Sequence, residues 1–135
     1  MIDSTRDNTW MLNDVVDVPG VRYVVVSTSD GLAKIRSTAT ERDEADRIAA
    51  TIAGLQSLGR STAQAYGSGS HAVRQMLFEF EGGWLLIRAA AEGSHLGVVT
   101  FADVDARLVS QQMQAVIRRL GEHTLATPAR STEVT

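Results

Sequence analysis

The sequence predicts an α+β fold in three layers, helix on sheet on helix, and three observations carry that prediction. Apolar residues switch between helical spacing and β-branched runs in the order α-β-β-α-β-β-β-α. Consecutive strands are joined by short glycine-bearing turns, which suit antiparallel neighbours. Two strands are apolar on both faces: Tyr23 and Val25 alternate with Val24 and Val26, and Leu85 and Ile87 alternate with Trp84 and Leu86. A sheet with one wet face would place polar residues at every second position, so these strands need helices on both sides. The expected core is one central five-stranded antiparallel sheet.

The first helix lies in "STRDNTWMLNDVVDV", where Met11, Leu12, Val15 and Val16 share a face. Ser4 and Asp7 form its start signal, and Pro19-Gly20 ends it. "VRYVVVST" (21–28) and "LAKIRS" (32–37) read as strands flanking a Ser-Asp-Gly step. Asp30-Gly31 at the tip is a strong hairpin signal, because glycine accepts the positive φ such turns need. Asp30 is thus a turn residue and not a ligand.

A long helix is expected over 41–66, with Thr40 as cap and Glu41, Asp43 and Glu44 near the positive end of its dipole. Ala45, Ile48, Ala49, Ile52, Gly59 and Ala63 form its apolar stripe, and Ala50, Ala53, Gly54 and Ser57 a second stripe of small residues. Leu55 and Leu58 fall to the far side of both. Three strands follow at 73–81, 83–91 and 94–101, an antiparallel meander. In the first of them Met76, Phe78 and Phe80 face one way, and Gln75, Leu77, Glu79 and Glu81 the other. That pattern marks an edge or near-edge strand covered on one side. The last helix takes Asp103 or Asp105 as cap and Gly121 as stop. Residues 1–8 then form a flexible N-terminus, 9–121 one domain, and 122–135 a flexible tail.

Composition narrows the function classes. The chain has 135 residues, 44% of them apolar, and a net charge of -3, which argues against non-specific nucleic-acid binding. With no cysteine, disulfides, zinc-thiolate sites and thiol chemistry are excluded. The N-terminus lacks the pattern of a signal peptide, and no apolar run approaches the roughly 20 residues that span a bilayer. A cytoplasmic protein is expected, reaching the inner face of the membrane only through partners and not by direct insertion.

No catalytic constellation emerges. His71, His95 and His123 lack metal-ligand spacing, Lys34 does not sit in a P-loop, and "YGSGSH" runs from helix to strand, the wrong order for a nucleophile elbow. The chain is read as a non-enzyme that needs no cofactor and no metal. What remains is surface for association. The small-residue stripe either packs on its own sheet or admits the same helix of a second copy, and the edge strand at 73–81 can pair with its own copy.

In its order and spacing the chain resembles the Roadblock/LC7 family, and within it the actinobacterial conservon and MglB-like bacterial branch, over about residues 9–121. "LNDVVDVPGVRYVVVSTSDGL", "ADRIAATIAGLQSLG" and "VRQMLFEFEGGWLLIRAAAEGSHLGVVTFADVDARLV" carry the resemblance together. It implies a profilin-like fold and a non-catalytic homodimer whose second helices lie side by side and whose third strands pair. The matching positions are Ala50, Ala53, Gly54 and Ser57 on the helix and Met76, Phe78 and Phe80 on the strand. It also implies a small Ras-like GTPase as partner, bound around the paired helices, with GTP hydrolysis stimulated by some members. Arg47, Leu58 and Arg60 are the candidate GTPase-facing residues, and a sensor-kinase-like protein of the same gene cluster is a further partner. The second strand departs from the family in carrying Lys34 and Arg36, and the tail has no counterpart there.

One alternative from another class stays open: a small-ligand sensor module of the GAF, PAS or profilin type, with the ligand held between sheet and helices. Thr100 and Tyr23 are its polar candidates.

Overall fold

The computed structural model describes residues 8–69 and 71–126; the start signal at Ser4 and Asp7 and the segment 127–135 lie outside them. A 3-10 turn, Thr9–Leu12, leads into the short helix α1 (Asn13–Val16). The strands β1 (Val21–Ser27) and β2 (Ala33–Arg36) precede the long helix α2 (Arg42–Tyr66). Then come β3 (Gln75–Phe80), β4 (Gly83–Ala89), β5 (His95–Phe101) and α3 (Ala106–Ala126). The five strands form one antiparallel sheet in the order β2-β1-β5-β4-β3. The predicted element order and architecture hold.

Register sorts the side chains between the two faces. Val24, Val98 and Leu86 are aligned across β1, β5 and β4, and they pack with Met11, Leu12, Val15, Val109, Met113 and Val116 from the α1 and α3 side. One residue along, Val25, Gly97 and Ile87 face Ala45, Ile48, Ala49 and Ile52 of α2. Two apolar faces on one strand therefore read correctly as two helix layers. Each fully buried branched or long apolar side chain stabilises the fold by about 1.5–3 kcal/mol.

The helix ends differ in part from expectation. Thr40 is not the cap of α2: Glu41 holds that position without a side-chain cap bond. The Thr40 hydroxyl is instead turned inward, 2.6 Å from Ser37 Oγ, and its carbonyl accepts a hydrogen bond from the buried Arg36 guanidinium. Ser37 Oγ accepts from the Val24 N–H, and the Ser37 N–H donates to the Val24 carbonyl. This network continues the β1–β2 pairing past the end of β2, where the backbone would otherwise be unpaired. For α3, Asp105 rather than Asp103 caps, its carboxylate accepting from the Leu108 N–H. Gly121 does not stop α3, which runs on to Ala126. The tail expected from 122 thus begins with helix.

Turn chemistry behaves as predicted at the first hairpin. Gly31 takes φ 86°, its N–H donates to the Thr28 carbonyl, and the Thr28 N–H donates to the Leu32 carbonyl. On the opposite side of the molecule Arg119 of α3 reaches both the Met11 carbonyl and the Asp14 carboxylate. Among the described residues no helix is long and apolar enough to cross a membrane.

Candidate functional site

Two features stand out once the layers are placed: a sheet face that α2 leaves bare, and a cavity beyond the end of the sheet. Both follow from where α2 sits. It packs on β1, β2 and β5. Strands β4 and β3 extend past it, so on the α2 side Phe78 and Phe80 are 37% and 46% exposed and Leu85 is only half-buried. Met76 alone among the three apolar β3 residues packs against the core. The reverse face of β3 is also open, with Leu77 56% exposed, so the strand is less covered than its one-sided pattern predicted. It is the last strand of the sheet, and among the described residues no strand pairs with its outer backbone edge.

At the lower end of the same face Arg22 lies over two aromatic rings, 5.1 Å from the Tyr23 centroid and 4.7 Å from that of Phe101. Such contacts favour a cation held on a ring face. Phe101 is 51% exposed, which extends the apolar surface started by Phe78 and Phe80.

The small-residue stripe of α2 does not join this surface. Ile48 and Ile52 lean on Gly97 of β5, whereas Ala49 and Ala53 lie against Gly31 of the β1–β2 turn, at the far side of the sheet from β3. Leu55 packs with the cluster that includes Met76 and Leu85. With an advance of about 100° per residue, Ser57 and Ala50 lie about 40° and 60° from Ala53, and well over 100° from Leu55. Ala53 is half-buried under its own turn, while Ala50, Gly54 and Ser57 are exposed. The flank of α2 that faces the bare strands carries Thr51, Leu55 and Leu58 instead.

The three GTPase-facing candidates separate in the same way. Arg47 and Leu58 lie about 20° apart around α2, where its outer crest meets the flank that faces the bare strands. Both are exposed, Leu58 at 70%. Arg60 is turned to the other side, where it lines the cavity.

That cavity, of about 330 Å³, is bounded by the C-terminal half of α2, the β1–β2 turn, the segment 72–73 before β3, and the turn between β4 and β5. Ile52, Ala53, Val73, Ala89 and Ala90 give it apolar walls; Gln56, Arg60, Ser29 and His95 supply polar groups. Gln56 is 5% exposed and its amide nitrogen has no hydrogen-bond partner among the described residues. Burial, with the Arg60 guanidinium adding to it, holds the His95 imidazole below its usual pKa. Ser27, register partner of His95, also has a buried hydroxyl without a hydrogen-bond partner among the described residues.

Neither polar residue expected to serve a ligand is here. Thr100 is fully buried and donates its hydroxyl proton to the Phe101 carbonyl, and Tyr23 lies under Arg22. Gln56 carries a signal in the sequence: four residues past Ile52, it places an amide in an otherwise apolar stripe. Among the described residues no group of three or more His, Asp or Glu side chains could hold a metal ion.

Comparison with known proteins bears on the family and the fold. The family model of the Roadblock/LC7 domain matches residues 9–100. A Roadblock/LC7 domain from Streptomyces avermitilis is 30% identical at a TM-score of 0.81, covering 89% of this chain and 99% of that one. A second from the same organism is 35% identical at a TM-score of 0.68, covering 84% and 98%. MglB of Myxococcus xanthus shares the fold at a TM-score of 0.72 with 14% identity, covering 87% and 90%. No curated protein matches the chain in sequence.

Proposed function

The chain belongs to the Roadblock/LC7 family, and from that premise we propose that it works as a homodimeric adaptor that regulates a small Ras-like GTPase and has no active site of its own. One observation carries the reading: an apolar sheet face left bare by α2 adjoins an unpaired strand edge. Exposed edges and exposed aromatic patches are both liabilities in a lone chain. Two copies related by a two-fold axis, pairing β3 to β3, remove both at once.

In that dimer Met76, Phe78 and Phe80 meet at the seam, and the two α2 helices approach through Thr51, Leu55 and Leu58. Ala50 and Ser57, which the resemblance assigns to the interface, stay outside it because they point the other way around α2, and Gly54, assigned with them, lies on the outer crest between the two flanks. The crest with Arg47, Gly54 and Leu58 then forms one continuous outer surface across both copies. This surface is the proposed GTPase contact, and stimulation of GTP hydrolysis is its stronger form. Arg47 stands where it could supply positive charge to a phosphoryl group in trans. Association with a sensor-kinase-like protein at the inner face of the membrane belongs to the same reading.

Co-elution and GTP turnover test it, using a small Ras-like GTPase from the same genome. A stable complex in one nucleotide state and a changed turnover are expected. Failure to co-elute in either state removes the GTPase, while light scattering decides the dimer separately.

A further inference from the structure

We propose that the cavity at the C-terminal end of α2 binds a small organic anion, a carboxylate on a short apolar body. The site belongs to a single copy of the chain and does not depend on the dimer or on a GTPase.

Its walls and its donors point to that chemistry together. At about 330 Å³ the cavity lies at the lower end of the range for small-ligand sites, and most of its lining is aliphatic. Two donors stand among the polar groups not already committed, beside the Ser29 hydroxyl and the His95 imidazole. Gln56 holds an enclosed amide nitrogen with no partner, and Arg60 is exposed, with no salt bridge to a described residue. By contrast Thr28 Oγ1 already accepts from the Leu32 N–H, and Ser94 Oγ donates to the Ala91 carbonyl. No carboxylate lines the cavity, so nothing within it neutralises the guanidinium.

A buried amide donor without a partner is destabilising, and a protein keeps such a group where something else satisfies it. One guanidinium and one amide fit a monoanion. Doubly charged phosphate would call for further cations. The aliphatic walls require that the anion carry an apolar body, which excludes inorganic ions as the preferred occupant.

The test is a titration of the isotope-labelled full chain with hexanoate, hexanamide, hexanol and inorganic phosphate, followed by amide and side-chain NMR shifts. Saturable shifts with hexanoate are expected at Gln56, Ala53 and Ala89, at least about tenfold weaker with hexanamide or hexanol. Arg60→Gln, an exposed change, is expected to weaken hexanoate about tenfold or more. Gln56→Leu should weaken hexanoate yet raise the thermal midpoint, since it removes the unpartnered donor. Equal binding of hexanol or phosphate overturns the proposal. So do shifts that never saturate, shifts that cluster away from the cavity, or hexanoate binding unchanged in both variants.

Discussion

Gly97, in the middle strand of the sheet, lies directly beneath Ile52 of α2: a Cβ at position 97 would stand 2.6 Å from Ile52 Cδ1 and 3.7 Å from Ile48 Cγ2. The helix can approach β5 this closely only because the strand lacks a side chain there.

Opposite signs are therefore expected for one chemical change at two glycines. Gly97→Ala should destabilise by about 1–3 kcal/mol, because the Ile52 side chain must move in a packed layer. Gly54→Ala, with nothing near its added methyl group, should stabilise by up to about 1 kcal/mol through helix propensity. Urea midpoints of the two variants measure both effects.

The buried Ser37–Thr40 pair predicts a non-additive cycle. Ser37→Ala strands the Val24 N–H and should cost about 1–3 kcal/mol. Thr40→Val should cost less on its own. Because the two hydroxyls share one hydrogen bond, the double variant should cost less than the sum. Strict additivity in denaturation free energies would mean the hydroxyls act independently.

Along β3, Phe78→Asp should convert a dimer to a monomer, since it buries a charge at the proposed seam. Leu58→Glu should weaken it as well. Gly54→Arg should leave the mass unchanged, as that position lies on the outer crest of α2, about 100° around the helix from Leu55. Light scattering over a dilution series reads all three, and a dimer broken by Gly54→Arg but not by Phe78→Asp would place the interface on the crest of α2 and away from the β3 edge.

His95 makes stability depend on pH in a defined direction. Its folded pKa lies below that of the unfolded chain, first through burial and then through Arg60. The unfolded state therefore takes up the proton more readily. The contribution is complete above the unfolded value of about 6.5 and is lost as pH falls from there through the folded pKa. Urea midpoints between pH 8 and 5 should decline less in His95→Gln than in the parent chain.

How far the sequence could be read depended on whether a feature was local. Asp30-Gly31 and the two-faced valine strand carry their meaning in adjacent residues, and the turn and the double helix cover follow from them. Thr40 shows the limit: a threonine before an acidic helix start is a good cap, yet Ser37, paired to β1, competes for its hydroxyl. Gly121 shows another, since an isolated glycine costs a helix only about 1 kcal/mol and tertiary contacts can carry the helix past it. The direction of the small-residue stripe was not legible at all. Helical spacing groups Ala50, Ala53, Gly54 and Ser57, but only the lean of α2 toward β2 tells which way that group points. The cavity likewise exists only where four separated segments meet.

The strand order has a consequence for how the chain assembles. The middle of the sheet is β5, the last strand to be synthesised, with β1 on one side and β4 on the other. Until it arrives, the β1–β2 hairpin and the β3–β4 hairpin are two separate ribbons, each with an unpaired inner edge. Closing the loop from Val21 to Thr100 is the long-range step that joins them. A nascent chain stalled before residue 95 holds both ribbons and α2 but no common core, and it offers its bare edges to any other strand within reach.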